Sequence, residues 1–211
     1  MVDLGLSVKW ASFNVGASKP EEYGGYYQWA GLEDVTSRDI GWDKCPYHTT
    51  SHSYYYTGWT KYVTSDRYWY WSGDGSPDNK TVLEPEDDVA HVTLGGHWRI
   101  PTEAEWYELI NNCTWTWTDD YNGTGIAGGI ATSNMPGYTE KSIFLPFAGM
   151  RAYSGYTLNT FFRVGSQGDY WSSSGSEENA FAPFFTYGFI YADFSTHNFR
   201  PEGLSVRPVS E

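Results

Sequence analysis

The chain has 211 residues, room for one large domain and little for a second. Its 26 acidic residues against 13 basic ones give a net charge of −13, which repels nucleic-acid phosphates and anionic membrane surfaces, and no Lys/Arg cluster offsets it. Apolar runs are only a few residues long, so neither nucleic-acid binding nor membrane insertion is expected.

Met1 runs directly into a strand-like Val2-Asp3-Leu4-Gly5-Leu6 with no export signal, so a piece of a longer chain is expected. Leu6–Trp10 and Tyr26–Trp29 read as strands, with a helical turn at Lys19-Pro20-Glu21-Glu22-Tyr23 between them. Positions 32–81 form an aromatic-rich insertion, including Tyr54-Tyr55-Tyr56 and Tyr68-Trp69-Tyr70-Trp71. It is too poor in aliphatic residues to build its own core. A short helix is expected through Pro85–His91. A better signalled one follows in Pro101–Ile110, where Thr102 and Glu105 make a capping box and Trp106, Leu109 and Ile110 an apolar stripe. Further strands are expected at Ser142–Pro146, Tyr170–Ser174, Phe181–Phe185, Phe189–Phe194 and Leu204–Val209.

The two ends echo each other. Gly5-Leu6-Ser7-Val8-Lys9 matches Gly203-Leu204-Ser205-Val206-Arg207, each with the alternation of a half-buried strand. This predicts two similar edge positions and adjacent termini.

Little in the sequence calls for catalysis. Cys45 and Cys113 can pair or remain buried thiols, and there is no CxxC. No nucleophile elbow G-x-S-x-G is present. The acid pair Asp87-Asp88 fits the start of a helix, where it stabilises the dipole or holds Arg99. His48 and His52 lie four apart in a segment that is not helix-like, so no metal geometry is expected. Glu84-Pro85-Glu86 lacks the Asn of calcium-dependent sugar-binding lectins. An acid-rich loop, for example near Asp74-Gly75, is a candidate for a structural calcium. No cofactor is expected.

Five segments together resemble the Fibrobacter succinogenes major paralogous (FISUMP) domain. They are Val2–Ala11, Leu83–Asp88, Trp98-Arg99-Ile100-Pro101-Thr102-Glu103-Ala104-Glu105-Trp106, Tyr170-Trp171-Ser172-Ser173-Ser174 and Gly203–Val209. The resemblance implies an α+β, C-type-lectin-like fold with short twisted antiparallel sheets, two helices, long loops and adjacent termini, related to the formylglycine-generating enzymes. It implies a single domain over 1–211 at a bacterial cell surface or on a phage virion, binding a protein or cell-surface ligand. Formylglycine-generating enzymes use cysteines near the C-terminal core, and this chain has none after Cys113, so no enzyme is expected. The alternatives are a structural or adhesive module of a surface assembly or pilus, and a degenerate enzyme of that type.

The same resemblance extends to variable proteins of diversity-generating retroelements, whose C-terminal segment is randomised at adenines. Randomising an Asn codon in this way cannot give Trp, Lys, Met, Gln or Glu. Residues 175–201 contain none of the first four, although Glu177 and Glu178 break the pattern. Within the 175–202 segment, Ala180, Phe185, Ile190, Ala192 and Arg200 read as scaffold, as does Gly203 just after it. Ala182, Phe184, Thr186, Tyr187, Phe189, Tyr191, Asp193, Thr196, His197, Asn198 and Pro201 read as the ligand-binding positions. Strand alternation puts Phe189, Tyr191 and Asp193 opposite Ile190 and Ala192, and exposed aromatic rings with a few polar neighbours are what protein interfaces use as anchors.

Overall fold

The computed structural model describes residues 1–48, 58–65, 76–154, 157–176, 179–191 and 197–211. Small antiparallel sheets and few helices make up a mixed α+β fold. Strand β1 (Lys9–Trp10) precedes a long irregular stretch. A 3-10 turn at Pro85–Asp87 leads to helix α1 (Val89–Leu94), and α2 (Glu103–Asn112) runs directly into β2 (Cys113–Thr118). The strands β3 (Gly128–Ser133), β4 (Ser142–Pro146), β5 (Met150–Ser154), β6 (Thr157–Phe162), β7 (Gln167–Asp169) and β8 (Gly175–Ser176) follow. The chain then passes through β9 (Asn179–Phe181), β10 (Phe184–Thr186), β11 (Phe189–Tyr191), β12 (His197–Phe199) and β13 (Val209–Ser210). They assemble as β1-β13, β2-β3-β4, β5-β6, β11-β10-β7 and β12-β9-β8. Among the described residues no helix is long and apolar enough to cross a membrane.

Helix α2 starts where its capping box requires. Thr102 accepts from the Glu105 backbone N–H, and the Glu105 carboxylate accepts from the Thr102 N–H at 2.7 Å. Glu105 also takes both ends of the Arg99 guanidinium, at 2.5 and 2.8 Å. So Glu105, not the Asp87-Asp88 pair, holds Arg99. Asp88 caps α1 instead, accepting from the Ala90, His91 and Ile100 N–H groups. Asp87 accepts from Tyr47, Tyr62 and Lys61 and ties the insertion to this corner.

The ends of the chain meet as an antiparallel pair, Lys9 opposite Ser210 and Trp10 opposite Val209. The two echoing segments do not pair with each other. Leu204 bridges Tyr27 and Ser205 bridges Tyr170. Leu204, Ser205, Val206 and Arg207 are all buried, so the half-buried alternation expected there is absent: this segment is covered on both sides. Pro183 divides the expected strand Phe181–Phe185 into β9 and β10, which join different sheets.

Two adjoining apolar clusters form the core. One gathers Trp10, Trp106, Leu109, Phe147, Tyr170, Phe181 and Phe185; the other Trp29, Tyr62, Trp171, Leu204 and Val206. Indole donors tie the rings to the backbone, and the first of them joins the two clusters. Trp106 Nε1 donates to the Trp171 carbonyl, Trp171 Nε1 to that of Tyr27, and Trp29 Nε1 to that of Ser172. Arg200, 1% exposed, lies between Trp29 and Trp59 with its guanidinium carbon 4.5 Å from each ring centroid, and donates to the Lys61 and Tyr62 carbonyls.

Removing either anchor should be costly. Trp106→Ala is expected to lower unfolding free energy by about 3–5 kcal/mol in urea titration, because its ring is fully buried. Arg200→Ala should cost about 3 kcal/mol or more, since it empties the space between two rings and strips donors from two carbonyls. An Arg200→Ala midpoint equal to the parent's would show that the clamp contributes nothing.

Candidate functional site

Register decides which side chains of the β11-β10-β7 sheet share a face. Phe184 lies opposite Tyr191 and Asp169, Thr186 opposite Phe189 and Gln167, and Phe185 opposite Ile190 and Gly168. Alternation therefore sends Phe185 and Ile190 to the core side. Phe185 is fully buried and stacks on Trp115 at 4.9 Å, and Ile190 packs against the same cluster. The opposite face carries Phe184 and Thr186, both half-buried, and Phe189, which is 61% exposed. Gly188, at φ +78, supplies the left-handed residue of the two-residue turn between the strands. Tyr187, beside it in that turn, is 45% exposed and meets Phe147 edge-on.

Of the eleven positions expected to bind ligand, Phe184, Thr186, Tyr187 and Phe189 come together on this sheet and its turn. Tyr191 joins them by its backbone register, and Asn198 and His197 sit on β12 in a different sheet. The side chains of Tyr191 and His197 lie outside the described residues, as do Asp193, Thr196 and the scaffold position Ala192. Two positions are corrected. Ala182 is 1% exposed in the second core cluster, at the crossing from β9 to β10. Pro201 is buried, and its carbonyl accepts from Gln28 Nε2 at 2.9 Å. Neither can face a ligand.

The sequence reading missed the β6–β7 turn. Phe161, Phe162, Arg163 and Val164 are all exposed. Arg163, Ser166, Gln167, Phe184 and Thr186 line an open cavity of about 360 Å³. A larger one, about 560 Å³, lies on the insertion side beside Gln28, Leu32 and Val35, where the charged groups pair with each other as Arg38–Glu33 and Lys44–Asp39. We place the candidate site at the smaller cavity because it opens beside the outer face of the β11-β10-β7 sheet, with Phe184 and Thr186 in its wall and exposed Phe189 opposite Thr186.

Behind that cavity Asp169 is buried. Its Oδ1 accepts from Gln167 Nε2 at 2.7 Å and its Oδ2 has no hydrogen-bond partner. Burial pushes its pKa up to about 6. Half-buried Glu202 is raised to about 7, by burial first and then by the charge of Asp169. The acid pair Asp87-Asp88 divides differently. Burial raises Asp88, whereas in Asp87 the hydrogen bonds from Lys61, Tyr47 and Tyr62 outweigh burial and hold the carboxyl below its usual range. Asp88 is fully engaged by three backbone N–H groups, so this split serves the fold.

Both cysteines are free and buried. Burial raises the Cys113 thiol to about 11 and lifts Cys45 as well, which makes each a poor nucleophile. Among the described residues no group of three His, Cys, Asp or Glu side chains could hold a metal ion. His48 packs its ring on Trp42 and Trp59, while His52 and Asp74-Gly75 lie outside the described residues. No family model, curated protein or solved structure matches the chain.

The raised acids set a pH dependence. Both hold their protons more tightly folded than unfolded, so their contribution is greatest at low pH. It declines as pH rises from the ordinary carboxyl range through about 6 to 7 and is level above that. Asp169→Asn should flatten this decline and gain on the order of 2–3 kcal/mol over the parent at pH 8 relative to pH 4. Urea midpoints across that range decide it; parallel curves would clear Asp169.

Proposed function

We propose that this chain is a binding module of the C-type-lectin-like kind, akin to the FISUMP domain, which offers an aromatic face to a protein or cell-surface ligand outside the cell or virion that carries it. The observation that carries this reading is Phe189. Its ring is 61% exposed on a strand whose next residue, Ile190, packs into the core. A ring this exposed offers most of its apolar surface for association, whatever it also touches within the chain. Tyr187 is exposed in the adjoining turn, and exposed Phe162 lies against Arg163, which lines the cavity with Phe184 and Thr186. The thiols, buried and hard to ionise, favour binding over formylglycine-type chemistry.

Diversification by a retroelement suits this arrangement. Phe184, Thr186 and Phe189 point away from the core side, so they can change without disturbing Phe185 and Ile190. A near-copy of the 3′ coding end beside a reverse transcriptase gene is expected, with adenine mismatches at the codons of the outward residues. Mismatches spread equally over the Phe185 and Ile190 codons would sink the idea.

The display reading itself is tested by Phe189→Ala and Tyr187→Ala. Each should shift the urea midpoint by no more than about 0.5 kcal/mol, yet reduce retention of the labelled chain on a panel of whole bacterial cells several-fold. Unchanged retention in the double variant would overturn it.

A further inference from the structure

We propose that the cavity beside Arg163 takes the carboxylate of an acidic, apolar segment of a protein partner, with the Arg163 guanidinium as its receptor. This rests on the display reading above and names what that surface binds.

The charge distribution isolates Arg163. After Lys141 the chain has four Lys or Arg residues, and Arg151, Arg200 and Arg207 are buried. Arg163 alone is exposed, and among the described residues no carboxylate lies within ion-pair distance of it. Its acidic neighbour Asp169 is buried and meets it only through Gln167, so in a chain of net charge −13 this exposed cation forms no direct ion pair among the described residues and is poised for an anion from outside. The acids elsewhere on the surface are screened beyond about 8 Å at physiological salt, so they do not cancel it.

The fold also holds Arg163 still. Its φ is +59, a left-handed conformation that glycine adopts freely and arginine does not. Gly149 lies against this turn, and a Cβ there would stand 2.2 Å from the Phe162 carbonyl oxygen. Gly165 N–H donates to the Phe147 carbonyl at 2.8 Å, and Gln167 N–H to that of Arg163 at 3.0 Å. The guanidinium lies over the Phe162 ring at 4.7 Å. One of its donors goes to Gln167 Oε1 at 2.5 Å. Buried Asp169 fixes which way Gln167 points, because it accepts the amide N–H and so turns the amide oxygen toward Arg163. A guanidinium oriented in this manner, with further donors facing a cavity that Ser166 and Thr186 also line, suits bidentate recognition of a carboxylate.

The rim selects the bearer. Phe162 lies under the Arg163 guanidinium, Val164 follows it in the chain and Phe189 lies opposite Thr186; all three are exposed and apolar. A sugar's hydroxyls placed over them would lose water without finding partners, whereas Leu or Phe side chains of a protein segment would gain by burial.

The test is an array of twelve-residue peptides in matched pairs, Glu/Gln or Asp/Asn beside Phe or Leu, with uronate-containing glycans on the same support. It is probed with the full chain, Arg163→Gln and Arg163→Gly. The parent is expected to hold acidic peptides about ten-fold better than their amide partners. Both variants should lose that preference, and Arg163→Gly, freed of its unfavourable φ, should melt no lower than the parent. Peptide retention indifferent to the acid, or a preference that survives in Arg163→Gln, overturns the carboxylate assignment and leaves the display reading standing. Retention of uronate glycans alone overturns the protein partner. Retention of nothing at all overturns both.

Discussion

Buried backbone carbonyls that no strand or helix satisfies must find donors, and in this fold long side chains supply them. The regular strands are two to six residues long, so much of the backbone in the core lies outside any ladder. Each bare carbonyl would cost about 1–3 kcal/mol. Trp29 and Trp106 each reach one through the indole N–H, and Tyr26 reaches Ala148 through its hydroxyl. Trp171 and Tyr170 add a second donor at the Tyr27 and Pro146 carbonyls, which also accept from the Leu204 and Ala148 N–H groups. Arg207, fully buried, donates to Ala11 and Phe144 carbonyls and to Asn14 Oδ1. Arg200 does the same for Lys61 and Tyr62. This accounts for a chain that is 19% aromatic and only 18% charged: rings with one polar atom fill an irregular core and satisfy it together.

Local signals were legible in the sequence where the physics is local. The capping box of α2 depends on residues three apart, and it formed at Thr102 and Glu105 as expected. Strand β4 has the expected limits, Ser142–Pro146. Strand β2 was missed although Thr114-Trp115-Thr116-Trp117-Thr118 alternates in β-branched and aromatic residues, the pattern of a sheet with one covered face. Its location directly after a helix masked it. Covering of Leu204–Arg207 on both sides could not be read from four residues, because it depends on Tyr27, Tyr170 and Val15 arriving from elsewhere.

The candidate site divides along the same line. That Phe185 and Ile190 turn inward follows from alternation alone, and so does the outward course of Phe189. Ala182 and Pro201 were misplaced because small or cyclic residues carry little signal of depth, and both lie where the chain changes sheet. The β6–β7 turn was invisible for a stronger reason. It reaches the aromatic face only through the pairing of β7 with β10, where Gln167 lies opposite Thr186 and Asp169 opposite Phe184. A lone Arg in a turn gives no hint of that pairing.

The antiparallel contact of Lys9 with Ser210 is one layer of a three-segment edge, because Val2 in turn pairs antiparallel with Trp10 and the Met1 amino group reaches Ser12. Met1 and Glu211 therefore leave this edge in opposite directions. Tension applied at these ends would load its hydrogen bonds together, as shear does, rather than open them one by one as a zip opens. The sheet carrying Phe184 and Phe189 lies elsewhere in the fold, braced on Phe185 and Trp115. Under load the base of the module would resist as a unit while its face kept its shape.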